Sequence, residues 1–215
     1  MTTPEFRSRN ELLFLCSLIV ILASVAFGAN AAARIWTFED DSEGSIAAGF
    51  QAAAGNWVVV KTKTGKALEQ TAANPNATFN LALVKKTHVK DLDLSVKIDA
   101  IAGKLDQGGG VVWRARDSKN YYIARYNPLE DNFRVYKVID GKRIQLGSAD
   151  DIPHAPGVHS VRAVMKGQNI TCYYDEKKYL EVSDPALSEG GMIGVWSKSD
   201  ARTRFDDLTL KPIDD

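Results

Sequence analysis

The densest chemical signal is the run Gln107-Gly108-Gly109-Gly110-Val111-Val112-Trp113-Arg114-Ala115-Arg116-Asp117. Three glycines entering an extended segment cost it stability, and in a strand they mark a bend or a close backbone approach. If Val111 to Arg116 is one strand, Val111, Trp113 and Ala115 share a face, and Val112, Arg114 and Arg116 share the other. Two arginines on one face is not a core pattern, so that face meets solvent or a ligand. Further on, Tyr121, Ile123 and Arg125 oppose Tyr122, Ala124 and Tyr126, while Arg134, Tyr136 and Val138 oppose Phe133, Val135 and Lys137. Near the C-terminus, Trp196 shares a face with Lys198. Aromatic rings stack on the apolar C–H face of a pyranose, and forked guanidinium donors match its vicinal hydroxyls. Trp113, Arg114, Arg116, Tyr122, Arg125, Tyr136, Trp196 and Lys198 are the candidate sugar contacts on this basis. The competing reading makes the tryptophans core and the arginines solvated surface.

Other chemistries find less support. Gly108-Gly109-Gly110 lacks the Lys-Ser/Thr pair and the helix of a phosphate loop. His88, His154 and His159 are scattered and there is no Cys-x-x-Cys, so zinc has no ligand set. No Gly-x-Ser-x-Gly elbow appears. Carboxylates do gather at both ends, Glu39-Asp40-Asp41 and Asp206-Asp207. A β-sandwich often sets its first and last strands side by side, which makes Asp40, Asp41 and Asp207 a candidate calcium clip for the termini. Solvated turn acids are the plain alternative. The sequence requires no cofactor, and structural calcium is the one candidate.

The elements that must position these residues are strands. Trp57–Lys61, Thr78–Val84 and Leu92–Ile98 alternate or are rich in β-branched residues. Similar runs follow at Val111–Arg116, Tyr121–Tyr126, Phe133–Ile139, Ile144–Leu146, His159–Met165, Ile170–Tyr174, Ile193–Ser197 and Arg204–Leu210. Asp140-Gly141, between Val138-Ile139 and Lys142-Arg143, is a two-residue hairpin signal. No segment after the first thirty residues keeps a 3.6-residue apolar period for three turns. The expectation is an all-β single domain over residues 34–211, a two-sheet antiparallel jelly-roll β-sandwich, with a closed barrel as the alternative.

Composition agrees with a globular chain: 215 residues, 45% apolar and 25% charged. Its 27 basic side chains are balanced by 27 acidic ones, so the electrostatic footprint of a nucleic-acid binder is missing. Residues 1–31 read as a secretory signal peptide. Arg7 and Arg9 precede an apolar run centred on Leu12 to Phe27, and Ala29-Asn30-Ala31 offers the small-residue exit, with Ala31-Ala32-Ala33 as second choice. The alternative is an uncleaved anchor, because the run approaches the roughly 20 residues that span a bilayer. Cleavage leaves no membrane span in the mature chain and leaves Cys172 as its only thiol, so no internal disulfide forms. A bacterial periplasmic or extracellular address follows.

Gly110-Val111-Val112-Trp113-Arg114-Ala115-Arg116-Asp117 and Asn120-Tyr121-Tyr122-Ile123-Ala124-Arg125-Tyr126-Asn127-Pro128 resemble the concanavalin A-like lectin/glucanase superfamily. More narrowly, the chain is similar to the secreted bacterial domain family named for 3-keto-disaccharide hydrolase. Trp36-Thr37-Phe38-Glu39, Gly55-Asn56-Trp57-Val58-Val59, Gly190 to Lys198 and Phe205-Asp206-Asp207-Leu208 extend the resemblance across about Arg34 to Leu210.

That resemblance implies a curved jelly roll whose concave face binds carbohydrate. The Glu-x-Asp-x-x-Glu motif of laminarinase-type members, which supplies paired carboxylates to a retaining mechanism, is absent. Keto-sugar chemistry asks for less. A C3 ketone acidifies the C2 proton, so one general base can start elimination of the C1 substituent, and an arginine can stabilise the enolate oxygen. Asp117, His88 and His159 are the candidate bases. The leading expectation is therefore a secreted carbohydrate-recognising domain, with hydrolase or lyase activity on keto-glucosides or disaccharides left open by the residues. A non-catalytic glycan-binding or cell-surface interaction module is the alternative, and an exported structural protein is a third.

Overall fold

The computed structural model describes residues 1–2 and 32–214. The export segment and Cys16 lie outside the described residues. Among the described residues, fifteen strands run in chain order: β1 (Arg34–Trp36), β2 (Phe50–Ala54), β3 (Trp57–Lys61), β4 (Lys66–Gln70), β5 (Phe79–Val84), β6 (Leu92–Ala102), β7 (Gly109–Asp117) and β8 (Asn120–Asn127). They continue as β9 (Asn132–Ile139), β10 (Lys142–Ala149), β11 (Val158–Lys166), β12 (Asn169–Tyr174), β13 (Lys177–Ser183), β14 (Met192–Lys198) and β15 (Arg202–Pro212). All pairings between these strands are antiparallel, as short hairpin connections dictate. No helix among the described residues is long and apolar enough to cross a membrane.

The strands form two sheets, not a closed barrel. One is seven-stranded, in the order β10-β9-β8-β7-β14-β5-β2. The other is eight-stranded, in the order β13-β12-β11-β6-β15-β4-β3, with β1 also paired to β15. First and last strands are thus neighbours, with Ile35 opposite Thr209. Two hairpins show how local sequence sets register. Asp140 and Gly141 both adopt positive φ, at 50° and 79°, matching the right-handed strand twist, and Ile139 pairs with Lys142. Asp175 and Glu176 do the same at 46° and 61° between Tyr174 and Lys177.

The sheets pack face to face over one apolar core. Val111, Trp113, Tyr122, Ala124, Phe133 and Val195 point inward from the seven-stranded sheet, and Leu68, Leu94, Val96, Val161, Cys172 and Phe205 meet them. Burying a side chain of this size stabilises by about 1.5–3 kcal/mol. Cys172 is fully buried, and burial holds its thiol well above the usual range, so it behaves as a small apolar group. A second cluster, including Leu83, Val112, Tyr121, Ile123, Val138 and Trp196, lies on the opposite face of the seven-stranded sheet.

β7 departs from strict alternation. Its register with β8 jumps between Trp113 and Asp117, its register with β14 shifts between Met192 and Gly194, and Arg114 takes φ 46°. This bulge turns Ala115 to the outer face beside Val112, whereas Trp113 stays in the core. The expectation that Trp113 and Ala115 share a face, with Arg114 and Arg116 opposite, is corrected accordingly. The glycines before it serve close strand approach. A Cβ on Gly110 would lie 2.0 Å from the Ala124 carbonyl oxygen, and one on Gly109 would lie 2.4 Å from that of Trp196.

Candidate functional site

Directly paired residues of adjacent strands point to the same face, so the ladder of the seven-stranded sheet reads out its outer surface row by row. One row runs Leu81, Trp196, Gly110, Arg125, Arg134, Ser148. The next runs Leu83, Gly194, Val112, Ile123, Tyr136, Gln145. A third carries Tyr121, Val138 and Arg143. Gly110 and Gly194 therefore sit at the floor between the large side chains of β14 or β5 and those of β7 to β9.

This face is concave. Arg143 of β10 places its guanidinium carbon 4.5 Å from the Tyr136 ring centre, 5.3 Å from that of Phe79 and 5.9 Å from that of Trp196. Phe79 is on β5, five strand spacings away, which in a flat sheet would be roughly 24 Å. Only a strongly rolled sheet brings them together. Inside the roll, Phe79 and Trp196 pack at 5.6 Å between ring centres. Arg143 thus closes one side of an aromatic box.

Three polar atoms of this box are buried and have no hydrogen-bond partner among the described residues: Tyr121 Oη, Trp196 Nε1 and Arg143 Nη1. Tyr121 is 0% and Trp196 1% exposed. Burial pushes the Tyr121 phenol up to about 12; the nearby Trp196 N–H and Arg143 charge pull the other way but do not offset it. The indole and the hydroxyl are close, yet their geometry falls short of a hydrogen bond. Each buried unpaired polar group costs about 1–3 kcal/mol. Three such atoms clustered at the Arg143 guanidinium call for a ligand or ordered water.

A polar network forms one end of the same face. Asp200 accepts from the backbone N–H groups of Lys104, Leu105 and Asp106 at 2.8, 3.0 and 3.1 Å, which fixes the loop before β7. That loop sets Asp106 against Lys198 Nζ at 2.7 Å and Asn127 Nδ2 at 3.0 Å. Arg125, buried on the same row as Trp196, donates to Glu130 at 2.9 Å, to the Tyr136 hydroxyl at 3.2 Å and to Asn132. Burial raises the Asp106 carboxyl above its ordinary value, against the opposing pull of Lys198. Glu130 moves the other way. Burial would raise it, but the donors Asn132 and Arg125 and the charges of Arg125 and Arg134 hold it below the usual carboxylate range. The face so combines an unusually basic carboxyl, a stable carboxylate, arginines and aromatic rings.

Of the sequence-derived sugar contacts, Arg125, Tyr136, Trp196 and Lys198 come together here. The other four do not. Trp113 is a core residue whose Nε1 lies 3.1 Å from Met165 Sδ. Tyr122 is also core, its hydroxyl donating to Asp184 at 2.7 Å. Arg114 is 1% exposed and serves the fold: it pairs with Asp91 at 2.9 Å and donates to the carbonyls of Lys90, Leu187 and Gly167. Arg116 is exposed at the end of β7. Tyr121, Arg143, Phe79, Asp106 and Glu130 join the site without a sequence signal strong enough to name them, although Tyr121 shares the Arg125 face and Arg143 follows directly from the Asp-Gly hairpin.

The candidate bases do not converge either. Asp117 is exposed and accepts from the Lys119 N–H at 2.6 Å, capping the β7–β8 turn. His88 is exposed outside the strands. His159 belongs to the other sheet, with Nδ1 2.7 Å from Asp175 and Nε2 2.7 Å from the Ala155 carbonyl. The acidic termini make no calcium cage. Asp207 pairs with Lys97 at 2.6 Å, Asp41 accepts from the Ala48 N–H, and Asp40 is exposed. Among the described residues, no group of three or more His, Cys, Asp or Glu side chains could hold a metal ion.

A hollow of about 570 Å³ lies on the outer face of the eight-stranded sheet, lined by Thr62, Lys97, Asp99, Val158, Arg204 and Asp206 among others. Two of its charges are answered locally, Lys97 by Asp207 and Arg204 by Glu69. None of the buried unpartnered side-chain atoms belongs to its lining. The concave face of the seven-stranded sheet is the better candidate for that reason.

No family model and no curated protein matches the sequence. Solved structures do match in shape. The carbohydrate binding module CBM66 from Bacillus subtilis superposes with a TM-score of 0.65 at 20% identity, over 76% of this chain and 95% of that one. A β-glucanase from Bacillus licheniformis superposes at 0.58 and 10% identity, over 85% and 98%. The fold is a two-sheet jelly-roll sandwich. The GH43 protein BlXynB from Bacillus licheniformis contains the same fold as a part: 83% of this chain matches 39% of that one, with a TM-score of 0.60 and 16% identity.

Proposed function

We propose that this jelly roll is an exported carbohydrate-binding domain that receives its ligand on the concave face of the seven-stranded sheet. The observation that carries the reading is the cluster of Phe79, Tyr121, Tyr136 and Trp196 around Arg143, with three polar atoms buried and unpartnered among the described residues. Rings offer a stacking surface for sugar C–H faces, and orphaned donors gain partners only when a polar ligand arrives. The names of the similar structures, a carbohydrate binding module and a β-glucanase, support the same class. Export rests on residues 1–31, and the neutral charge balance argues against a nucleic-acid partner.

The test is a titration of the purified domain with a panel of soluble oligosaccharides, followed by tryptophan fluorescence. At least one glycan is expected to shift the emission, and Trp196→Phe is expected to abolish the shift. Silence across the panel would remove the reading.

A second reading, hydrolase or lyase action on 3-keto-glycosides, is supported by Asp106. Its carboxyl is 2% exposed, raised by burial, and part of one network with Asn127 and Lys198. Such a base would take the C2 proton, the electron pair would pass into the C3 enolate, and the C1 substituent would then leave with its bonding pair. Arg125 could stabilise the enolate oxygen. Release of aglycone from a 3-keto-glucoside by the wild type, and its loss in Asp106→Asn, is the expected outcome. Glycan binding without turnover would leave the binding module alone standing.

A further inference from the structure

Resting on the carbohydrate reading, we infer that the ligand is an acidic sugar, held by Arg143 as its counter-ion. The argument is one of unmatched charge and unmatched donors. On the concave face Arg125 pairs with Glu130, Arg134 with Glu130 and Asp150, and Lys198 with Asp106. Arg143 has no ion pair among the described residues, and its Nη1 is buried without a hydrogen bond. A cation left unpaired over the rings of a face whose other cations are matched by its own carboxylates selects for a negative ligand.

The other orphaned atoms agree in kind. Trp196 Nε1–H and the Arg143 N–H groups can only donate, and the Tyr121 hydroxyl can donate as well. A neutral sugar hydroxyl could serve them, but a sugar oxyanion accepts from every side and matches a guanidinium in two parallel bonds. Arg143 now lies over the faces of Tyr136, Phe79 and Trp196, where a pyranose would stack. It stands near the start of edge strand β10, between the exposed Lys142 and Ile144, and can swing outward. Binding then exchanges one occupant of the box for another: the sugar ring takes the aromatic faces, and the displaced guanidinium pairs with the oxyanion of that ring. A uronate carboxylate and a sulfate ester supply the same chemistry.

The experiment compares a β-1,4-glucan oligomer, its C6-oxidised glucuronan counterpart, the same oligomer sulfated at O6, and inorganic phosphate at matched ionic strength. Calorimetry and tryptophan fluorescence on the full mature domain give the affinities. An acidic oligomer is expected to bind about tenfold or more tighter than the neutral one, since charge-assisted bonds exceed neutral ones by this order. The preference is expected to shrink with added salt, to vanish in Arg143→Gln and to survive in part in Arg143→Lys. Which acidic oligomer binds identifies the oxyanion as carboxylate or sulfate. Equal affinity for neutral and acidic oligomers, or a preference intact in Arg143→Gln, overturns the inference while leaving carbohydrate binding in place. Full competition by inorganic phosphate overturns it too, since the sugar ring would then be unnecessary. Failure of every oligomer to bind removes both this inference and the reading beneath it.

Discussion

Gly110 stands directly between Trp196 and Arg125 in the ladder of the seven-stranded sheet. The missing side chain leaves the floor of the concave face level between an aromatic wall and a guanidinium. It is also enforced by packing, because a Cβ there would lie 2.0 Å from the Ala124 carbonyl oxygen. Gly110→Ala is expected to destabilise by about 1–3 kcal/mol, the usual cost of overpacking. Gly44, with φ +77° and nothing within 4 Å of an added methyl, is the control and pays only for backbone strain, about 1 kcal/mol. Urea unfolding of the two variants reads the difference; equal losses would mean that the strands part easily at Gly110.

Arg114 shows why a charged residue in a ligand-like sequence can be purely architectural. It is enclosed by the segments around Lys90, Gly167 and Leu187, and its partner Asp91 is itself 7% exposed. Removing one partner of a buried pair strands the other charge, so Arg114→Met is expected to cost about 3–5 kcal/mol. Asp91→Asn added to it is expected to recover part of that loss, and thermal unfolding of the double-mutant cycle measures how much. Glycan affinity of folded Arg114→Met should match the wild type. A loss of affinity without a loss of stability would return Arg114 to the ligand site.

The legible part of this fold was the local part. β8 and β9 carry unbroken alternation, so the grouping of Tyr121 with Arg125 and of Arg134 with Tyr136 could be taken straight from the residues. The Asp140-Gly141 turn likewise fixed Val138 opposite Arg143. β7 misled because a bulge resets the period at Arg114, and no residue type there announces it. The short strands β1, β2 and β4 carry little strand signal: Phe50–Ala54 is mostly alanine and Lys66–Gln70 buries Glu69 and Gln70. Phe79 and Arg143 are distant in sequence and in strand order, and meet only through curvature of the whole sheet. Curvature is a property of many strands together, and alternation within one strand cannot report it.

Asp184 and Asp106 are both buried and both paired with lysine, yet they titrate in opposite directions. Burial would raise Asp184, but Lys137, the Tyr122 hydroxyl and the Ala186 N–H together hold it below its ordinary value. Its stabilising contribution is therefore complete above the unfolded value and is lost as pH falls through the lower folded value. At Asp106 burial wins over Lys198, so the folded chain keeps the proton to higher pH than the unfolded chain does. There the wild type gains stability as pH falls from the raised folded value to the unfolded one near about 4. Unfolding free energies from pH 7 to pH 3 are the measurement. The advantage of wild type over Asp184→Asn should shrink below about pH 4. Relative to Asp106→Asn, the wild type should improve on acidification. Curves of the same sign for both variants would contradict the assignment.

Tyr121 and Tyr122 are sequence neighbours on opposite faces of β8, and the same substitution separates their roles. The Tyr122 hydroxyl donates to Asp184 and accepts from the Leu187 N–H at 3.2 Å, within the buried interior. Tyr122→Phe breaks both bonds and leaves a buried N–H unpaired, so a loss of about 1–3 kcal/mol is expected. The Tyr121 hydroxyl is equally buried but unpartnered among the described residues. Tyr121→Phe removes an unsatisfied group at nearly constant volume, and stability is expected to hold or rise while glycan affinity falls. Chemical denaturation and titration with the bound oligosaccharide, run on both variants, give the two readouts. If Tyr121→Phe proves as destabilising as Tyr122→Phe, an ordered water already satisfies that hydroxyl. The concave face would then be a finished part of the fold, and not a site awaiting its ligand.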